Sequence, residues 1–239
     1  VAGNFTNRGT VTLNSDADEF ASIIVGGTSS GNLVYNRYVN TVGTNEWDLI
    51  GSPVNGLDIN TFVSDNSSVL ATNGVQVGIG TYNNSSNDWS NYTTDGSGAG
   101  NINVVGSFDI GKGYQMATTS GTTMAFNGTI ATSDQTQSII NNDGNGLGRR
   151  WNLVANPYPS YLNLNSAADG TNNLISVNTA MGNQIIDGSF AAVYGWNPNK
   201  SGGAGYDSYD NNDTAKYIAP GQGFFIAASS SNSIDLDFT

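Results

Sequence analysis

The sequence predicts an all-β protein, a β-sandwich or jelly-roll-like fold built from two sequence-related halves. Val, Ile, Thr, Tyr and Phe occur in short runs between turns rich in Gly, Asn and Ser, and 31 of the 239 residues are Gly. Long helices favour Ala, Leu, Glu, Lys and Arg, yet the chain has only 7 Lys and Arg in total. The third observation is an internal repeat, which predicts two similar structural units.

The repeat is clearest around two tryptophans. EWDLIGSPVNGLDIN (46–60) is echoed by RRWNLVANPYPSYLNLN (149–165), with Trp47 and Trp151 at corresponding positions. Each Trp leads an apolar stretch that suits a pleated strand. We therefore expect Trp47 and Trp151 to occupy equivalent buried positions, one in the core of each half.

A second pair of similar segments follows in the same order. GKGYQMATTSGTTMAF (111–126) corresponds to GQGFFIAASSSNSIDL (221–236). In both, a Gly stands on each side of one residue just before a strand, which predicts a positive φ or a close backbone approach. A turn then leads to another alternating run, so each block is predicted to form a hairpin with one buried face.

The repeat also divides the chain into segments. We expect N-terminal strands completing the first half at 1–34, β repeat one at 35–128, a connection at 129–148 and β repeat two at 149–239. Helix is expected only as a turn or two, within 58–72 and around 165–180.

The charge balance excludes several classes of partner. The net charge is −12, with 19 Asp and Glu against 7 Lys and Arg. Nucleic acids and anionic membranes are bound through clustered cations, so neither is an expected partner. No apolar run is long enough for membrane insertion. An acidic surface favours a soluble monomer.

Catalytic groups are scarce in this chain. It has no His and no Cys, which removes nucleophile–His systems and His-based metal sites. An Asp pair could serve a glycosidase, and Tyr35, Arg37 and Tyr38 could serve a lyase. The favoured interpretation of these three is a strand with alternating faces. We therefore expect no enzyme, with a polysaccharide lyase or glycosidase as an alternative.

Carbohydrate binding is the favoured function because aromatic residues are concentrated in polar segments. Sugar rings stack on aromatic faces, while amides and hydroxyls bond to their oxygens. The candidate ligand-binding residues are Tyr82, Trp89 and Tyr92 in the first half and Trp196, Tyr206 and Tyr209 in the second. The alternative is that these loop aromatics cap the ends of the sandwich. Because the two sets differ, we expect one working site, in the second half.

Calcium is a possible cofactor at one acidic segment, DSYDNND. Asp207, Asp210 and Asp213 would supply the oxygen ligands that this hard cation prefers. The alternative is that these residues only form turns, which Asp and Asn commonly do. No other cofactor is predicted.

The Trp and Gly blocks also resemble a known kind of module. The pattern W-[ND]-L-[IV]-[AG]-[NS]-P, a YGW or GTY segment and a closing [AP]-G-[QK]-G-[FY] strand resemble duplicated β modules of secreted and cell-surface proteins of marine Bacteroidetes. Such modules often lie beside polysaccharide-degrading or adhesive domains, upstream of a type IX secretion signal. No sorting domain follows Thr239, so the resemblance implies an internal piece of a longer chain with neighbouring domains.

Together these observations predict a secreted or surface-displayed accessory module that binds marine polysaccharide without catalysis. The alternative is a structural or adhesive β spacer that has no glycan site.

Overall fold

Strands dominate the computed structural model, which describes residues 1–239 and is 8% helical. The first half contains β1 (Phe5–Thr6), β2 (Thr12–Asn14), β3 (Ser29–Ser30), β4 (Leu33–Val39), β5 (Asp48–Ile50), α1 (Ile59–Asp65), β6 (Thr72–Asn73), β7 (Gln76–Asn83), β8 (Asp88–Thr93), β9 (Tyr114–Met116) and β10 (Thr122–Gly128). The second contains β11 (Gln135–Ile139), β12 (Trp151–Ala155), β13 (Leu162–Asn163), α2 (Leu174–Thr179), β14 (Val193–Asn197), β15 (Gly205–Tyr209), β16 (Tyr217–Ile218), β17 (Gly223–Ala227) and β18 (Ile234–Phe238). The all-β prediction is confirmed. Both α-helices lie where a turn or two was expected, and neither is long and apolar enough to cross a membrane.

Two sheets enclose the core of the first half. One has the strand order β10-β4-β2, and the other runs β5-β9-β7, with β6 and β8 both paired to β7. Side chains from the facing sides, among them Tyr35 and Met124 from one sheet and Ile79 from the other, form a single buried cluster. Helix α1 adds Phe62, whose ring centroid lies 4.6 Å from that of Phe126. This half is therefore a small sandwich with its own core.

The second half has a separate core and a similar arrangement of strands. The pair β11-β18 faces the sheet β12-β17-β14-β15, and Phe224, Ile226 and Leu236 are fully buried between them. The pairing order β12-β17-β14-β15 repeats β5-β9-β7-β8 of the first half. Origin by duplication stays a prediction, which this shared pairing order supports.

The predicted hairpins are wrong, because the strands of each block lie in different sheets. β9 pairs with β5 and β7, whereas β10 pairs with β4. In the second half β17 pairs with β12, whereas β18 pairs with β11. Met116 and Met124 are both fully buried in the first core. Because the two strands bury side chains in the core from its two sides, the turn carries the chain across the core and not back alongside the first strand.

A buried asparagine at or near the C-terminal end of each helix joins α1 to β10 and α2 to β18. Asn66 donates to a helix carbonyl four residues earlier and to the Ala125 carbonyl, and accepts from the Ala125 N–H at 2.7 Å. Asn178 makes the same three bonds, with Asp237 in place of Ala125. Ala125 and Asp237 are 112 residues apart, whereas the Gly motifs at Gly111 and Gly221 are 110 residues apart. The connection that follows the Gly motif is therefore two residues longer in the second half.

The N-terminal segment and the segment between the two repeats both contribute strands to the sheets. Residues 129–148 are more than a connection, because they include β11, which pairs with β18 in the second half. The N-terminal segment supplies β2, which runs parallel to β4, and Phe5 and Leu13 pack against the first core.

The two halves contact each other through the Gly motifs in a reciprocal way. The Gly51 N–H of the first half donates to the Gly221 carbonyl at 2.9 Å, and the Ala155 N–H of the second donates to the Gly111 carbonyl at 2.8 Å. Gly111 and Gly221 have φ values of 75° and 65°. Residues other than Gly rarely adopt this backbone conformation. The predicted positive φ is confirmed in both copies.

The second Gly of each motif allows a close approach of backbones. A Cβ on Gly113 would lie 2.6 Å from Leu153 Cγ, and one on Gly223 would lie 2.7 Å from the Leu49 carbonyl carbon. The motif of the first half is thus packed against β12 of the second, and the motif of the second half against β5 of the first. The spacing Gly-X-Gly therefore serves the junction between the halves.

Candidate functional site

Trp47 and Trp151 are not core residues, which corrects the sequence-based prediction. Both are half-buried and neither belongs to a hydrophobic core. Ile50 and Val154, three residues further along, point into the cores. Because side chains alternate along a strand, residues three apart point to opposite faces. Trp151 therefore projects from the outer face of its sheet, which faces the first half.

An aromatic cleft of about 360 Å³ lies at this junction. Its volume is typical of small-molecule sites. The residues that line the aromatic cleft are Tyr82, Asn87 and Trp89 of the first half and Trp151, Tyr194, Tyr206 and Phe225 of the second. Six of the seven side chains are aromatic rings. The two halves thus form one shared site, which differs from the prediction of a site in the second half alone.

Phe225 is the base against which the other rings pack. Its centroid lies 4.9 Å from Tyr82, 5.5 Å from Tyr206 and 6.1 Å from Trp89. All three pairs are close to perpendicular, at 85–87°, an arrangement that aromatic pairs favour. The faces of these rings are therefore held in fixed orientations around the cleft.

Cross-strand pairing positions the aromatic residues. Tyr82 of β7 lies opposite Trp89 of β8, and Trp196 of β14 lies opposite Tyr206 of β15. Opposite residues of antiparallel strands share a face, so each hairpin presents an aromatic pair on its outer side. The candidates Tyr82, Trp89, Trp196 and Tyr206 are thus on strands, and they do not cap the ends of the sandwich.

The wall of the cleft is further fixed by Asn87 and Tyr194. Asn87, at φ 56° in the β7–β8 turn, accepts a bond from the Tyr82 hydroxyl at 2.6 Å. The Tyr194 ring packs edge-on against Trp151, with 4.7 Å between centroids. These contacts restrain both sides of the cleft before any ligand binds.

Several hydrogen-bonding groups of the cleft have no partner within the protein. Trp196 is the one tryptophan whose indole N–H has a protein acceptor, the Asn45 carbonyl at 2.9 Å. The indoles of Trp89 and Trp151 and the hydroxyl of Tyr194 are not among the buried unpaired polar atoms, so they are open to solvent. A polar ligand in the cleft would find both donors and acceptors.

Burial raises the pKa of the tyrosine hydroxyls of the cleft above the ordinary value of 10. It raises the pKa of Tyr206 to about 12, with a smaller contribution from the neighbouring Tyr82. Burial also raises the pKa of Tyr82 and of Tyr194. A protonated hydroxyl can donate and accept, whereas a base at neutral pH requires a pKa near 7. The lining residues therefore suit recognition better than proton transfer.

Two smaller hollows adjoin the aromatic cleft. A second cleft of about 220 Å³, the Trp47 cleft, is lined by Asn45, Trp47, Leu49, Trp89, Gln115, Trp196 and Tyr206. A polar pocket of about 160 Å³ is lined by Tyr82, Asn84, Asp109, Lys112, Gln137, Ser138, Ile139, Asn152, Leu153 and Val154. Trp196 thus belongs to the Trp47 cleft and not to the aromatic cleft.

Two predicted ligand-binding residues lie on the wrong face, and these predictions are corrected. Tyr92 is 6% exposed and is part of the first core. Tyr209 packs against the second core, with the Lys216 ammonium 4.9 Å from its ring centroid. Each lies three residues after a cleft aromatic on the same strand, so strand alternation turns it inward.

The predicted calcium ligands do not converge. The pKa of Asp207 is lowered by hydrogen bonds from Asn197 and Lys200, the latter a salt bridge at 3.0 Å. Asp213 accepts from the Asp210 backbone N–H at 2.8 Å, as in an ordinary Asp-rich turn. No group of three or more Asp, Glu, His or Cys side chains is arranged to hold a metal ion. The turn interpretation accounts for these contacts.

Tyr35, Arg37 and Tyr38 are divided between the two faces of β4. Tyr35 is fully buried and donates to the Ala21 carbonyl at 2.7 Å. Arg37 is 7% exposed, and its guanidinium lies 4.2 Å from the Phe20 ring centroid. Tyr38 lies between inward-pointing residues of β4 and so faces the other side. The interpretation as a strand with alternating faces is confirmed.

Four cleft residues were missed by the sequence-based prediction: Asn87, Trp151, Tyr194 and Phe225. A signal for Tyr194 was present, because it lies two residues before Trp196 and so shares its face. Comparisons with protein-family models, curated proteins and solved structures gave no match, so the site is interpreted from its own geometry.

Proposed function

We propose that this protein is a non-catalytic carbohydrate-binding module and that the aromatic cleft is its binding site. The observation that carries the proposal is the cleft itself, in which six rings surround accessible hydroxyl and indole N–H groups. Sugar rings have apolar C–H faces edged by hydroxyls, and such a cleft complements both features.

The chemistry of the lining residues favours binding over turnover. The aromatic cleft contains no carboxylate, and burial holds its Tyr206 hydroxyl at a pKa of about 12. Glycoside hydrolysis commonly uses two carboxyl groups at the scissile bond. These features support a binding role. The polar, acidic composition and the resemblance of the Trp and Gly blocks support a secreted or surface-displayed setting.

Affinity gel electrophoresis against a panel of neutral and acidic polysaccharides tests the proposal. We expect retardation by at least one polymer, and weaker retardation for Trp89→Ala and Tyr206→Ala. One aromatic contact contributes about 0.5–1.5 kcal/mol, so each change should weaken binding by a factor of about 2 to 12.

Tyr217→Ala is the matched control, because Tyr217 is exposed on β16 and does not line any of the three hollows. No retardation by any polysaccharide would contradict the proposal and favour the spacer alternative. Retardation that persists in a Trp89→Ala, Tyr206→Ala double variant would show that another surface binds. New reducing ends or unsaturated products would contradict the non-catalytic assignment.

A further inference from the structure

We infer that the site binds an internal stretch of an uncharged, linear polysaccharide. This inference rests on the proposed carbohydrate-binding function and specifies its ligand class. It follows from two separate observations, the succession of hollows along the junction and the pairing of the nearby cations.

The three hollows are consecutive. The polar pocket and the aromatic cleft share Tyr82, and the aromatic cleft and the Trp47 cleft share Trp89 and Tyr206. Tyr206 is 40% exposed, so its ring forms a low divider that a chain can cross. A single sugar would occupy one hollow only. A chain of several sugars would contact all three in order, with neighbours of the central sugar placed on either side.

The hollows offer no free positive charge. The aromatic cleft and the Trp47 cleft contain no charged side chain, and in the polar pocket Lys112 is bonded to Asp109 at 3.1 Å. Elsewhere Arg150 is paired with Asp143 and Asp187. With a net charge of −12, a sulfated or carboxylated chain would meet repulsion without a compensating contact. Only an uncharged chain avoids this cost.

Pairs of polymers with similar backbones and different charge test the charge requirement. Hydroxyethyl cellulose would be compared with carboxymethyl cellulose, and agarose with κ-carrageenan, by affinity electrophoresis at low and physiological ionic strength. For a backbone that binds, we expect the uncharged polymer to bind at least about tenfold more tightly, because like charges oppose association. Equal or tighter binding of the charged polymer would overturn the inference.

Oligosaccharides from the uncharged polymer that binds test the length requirement. Calorimetry with the disaccharide through the hexasaccharide should show affinity rising until the three hollows are filled. Trp47→Ala should reduce hexasaccharide affinity by a larger factor than disaccharide affinity, whereas Tyr194→Ala should reduce both by similar factors. Tyr217→Ala should change neither. Affinity that does not rise beyond the disaccharide would overturn the inference.

The outcomes distinguish an error in the carbohydrate-binding function from an error in the ligand class. If no polysaccharide binds, the carbohydrate-binding function is wrong, and the inference is wrong with it. If only charged polymers bind and Trp89→Ala weakens that binding, the site is correct and the ligand class is wrong.

Discussion

Gly51→Ala should destabilise the junction between the two halves. Gly51 directly follows β5, and an added Cβ would collide with the Ala155 side chain and lie 2.7 Å from the Lys112 carbonyl oxygen. Carbon atoms in contact prefer about 3.5–4.0 Å, so the strands from the two halves must separate. The Gly51 N–H bond to the Gly221 carbonyl would lengthen at the same time.

The size of the effect follows from this crowding. Overpacking of a close-packed region costs about 1–3 kcal/mol. For a chain of about this length, 1 kcal/mol corresponds to roughly 2–4 °C in Tm, so a drop of about 2–12 °C is expected. Thermal unfolding followed by circular dichroism would measure it.

Gly195→Ala is the matched control for Gly51→Ala. Gly195 lies within β14, its φ is not positive, and an added Cβ would meet no atom within 4 Å. We expect its Tm to stay within about 1 °C of the wild type, since the new methyl displaces nothing. An unchanged Tm for Gly51→Ala, or equal shifts for the two variants, would refute the assignment of Gly51 to a tight junction.

Three further predictions concern the cores and the tyrosines. Phe62→Ala should lower the free energy of unfolding by about 3–5 kcal/mol, because Phe62 is fully buried between aromatic rings; a loss below 1 kcal/mol in urea unfolding would contradict this packing. Asn178→Ala should cost about 1–3 kcal/mol, because it leaves the Asp237 N–H without its acceptor, whereas the exposed Asn103→Ala should be neutral in the same assay. Burial raises the pKa of Tyr158 and of Tyr206 to about 12 from 10, so their contribution to stability is complete below pH 10 and is lost as the pH rises from 10 to 12. Urea unfolding at intervals between pH 9 and 12 should show this fall in the free energy of unfolding. Absorbance at 295 nm follows tyrosine ionisation in the folded protein, and titration of every tyrosine near pH 10 would contradict the prediction.

The fold class and the Gly-X-Gly motifs could be predicted from sequence because they rest on local rules. Short alternating runs predict strands, and paired glycines predict a positive φ or a close backbone approach. The same rules identified both short helices. The link between consecutive strands was not local, so the crossing from one layer to the other at Met116 and Met124 was missed.

The site was predicted in part, and the errors have a common cause. Alternation assigns residues to two faces of a strand but does not say which face meets the core. Trp47 and Trp151 were assigned to the core because each leads a repeated apolar stretch, although Ile50 and Val154 occupy it. Tyr92 and Tyr209 were assigned to the surface with Trp89 and Tyr206, three residues away, although this spacing reverses the face. The junction that buries the second face depends on how the halves meet, which short-range patterns do not encode.

The unequal walls of the junction have a consequence for direction. A polysaccharide has a reducing and a non-reducing end, and a site with identical walls would accept it in either sense. Here Tyr194 and Phe225 are paired in the second half where Gly80 and Gln115 are paired in the first. Tyr194 and Phe225 line the central aromatic cleft and Gln115 lines the Trp47 cleft at one end, whereas the polar pocket at the other end is lined by several polar side chains. The two ends differ, so a chain bound as proposed would have a single preferred polarity.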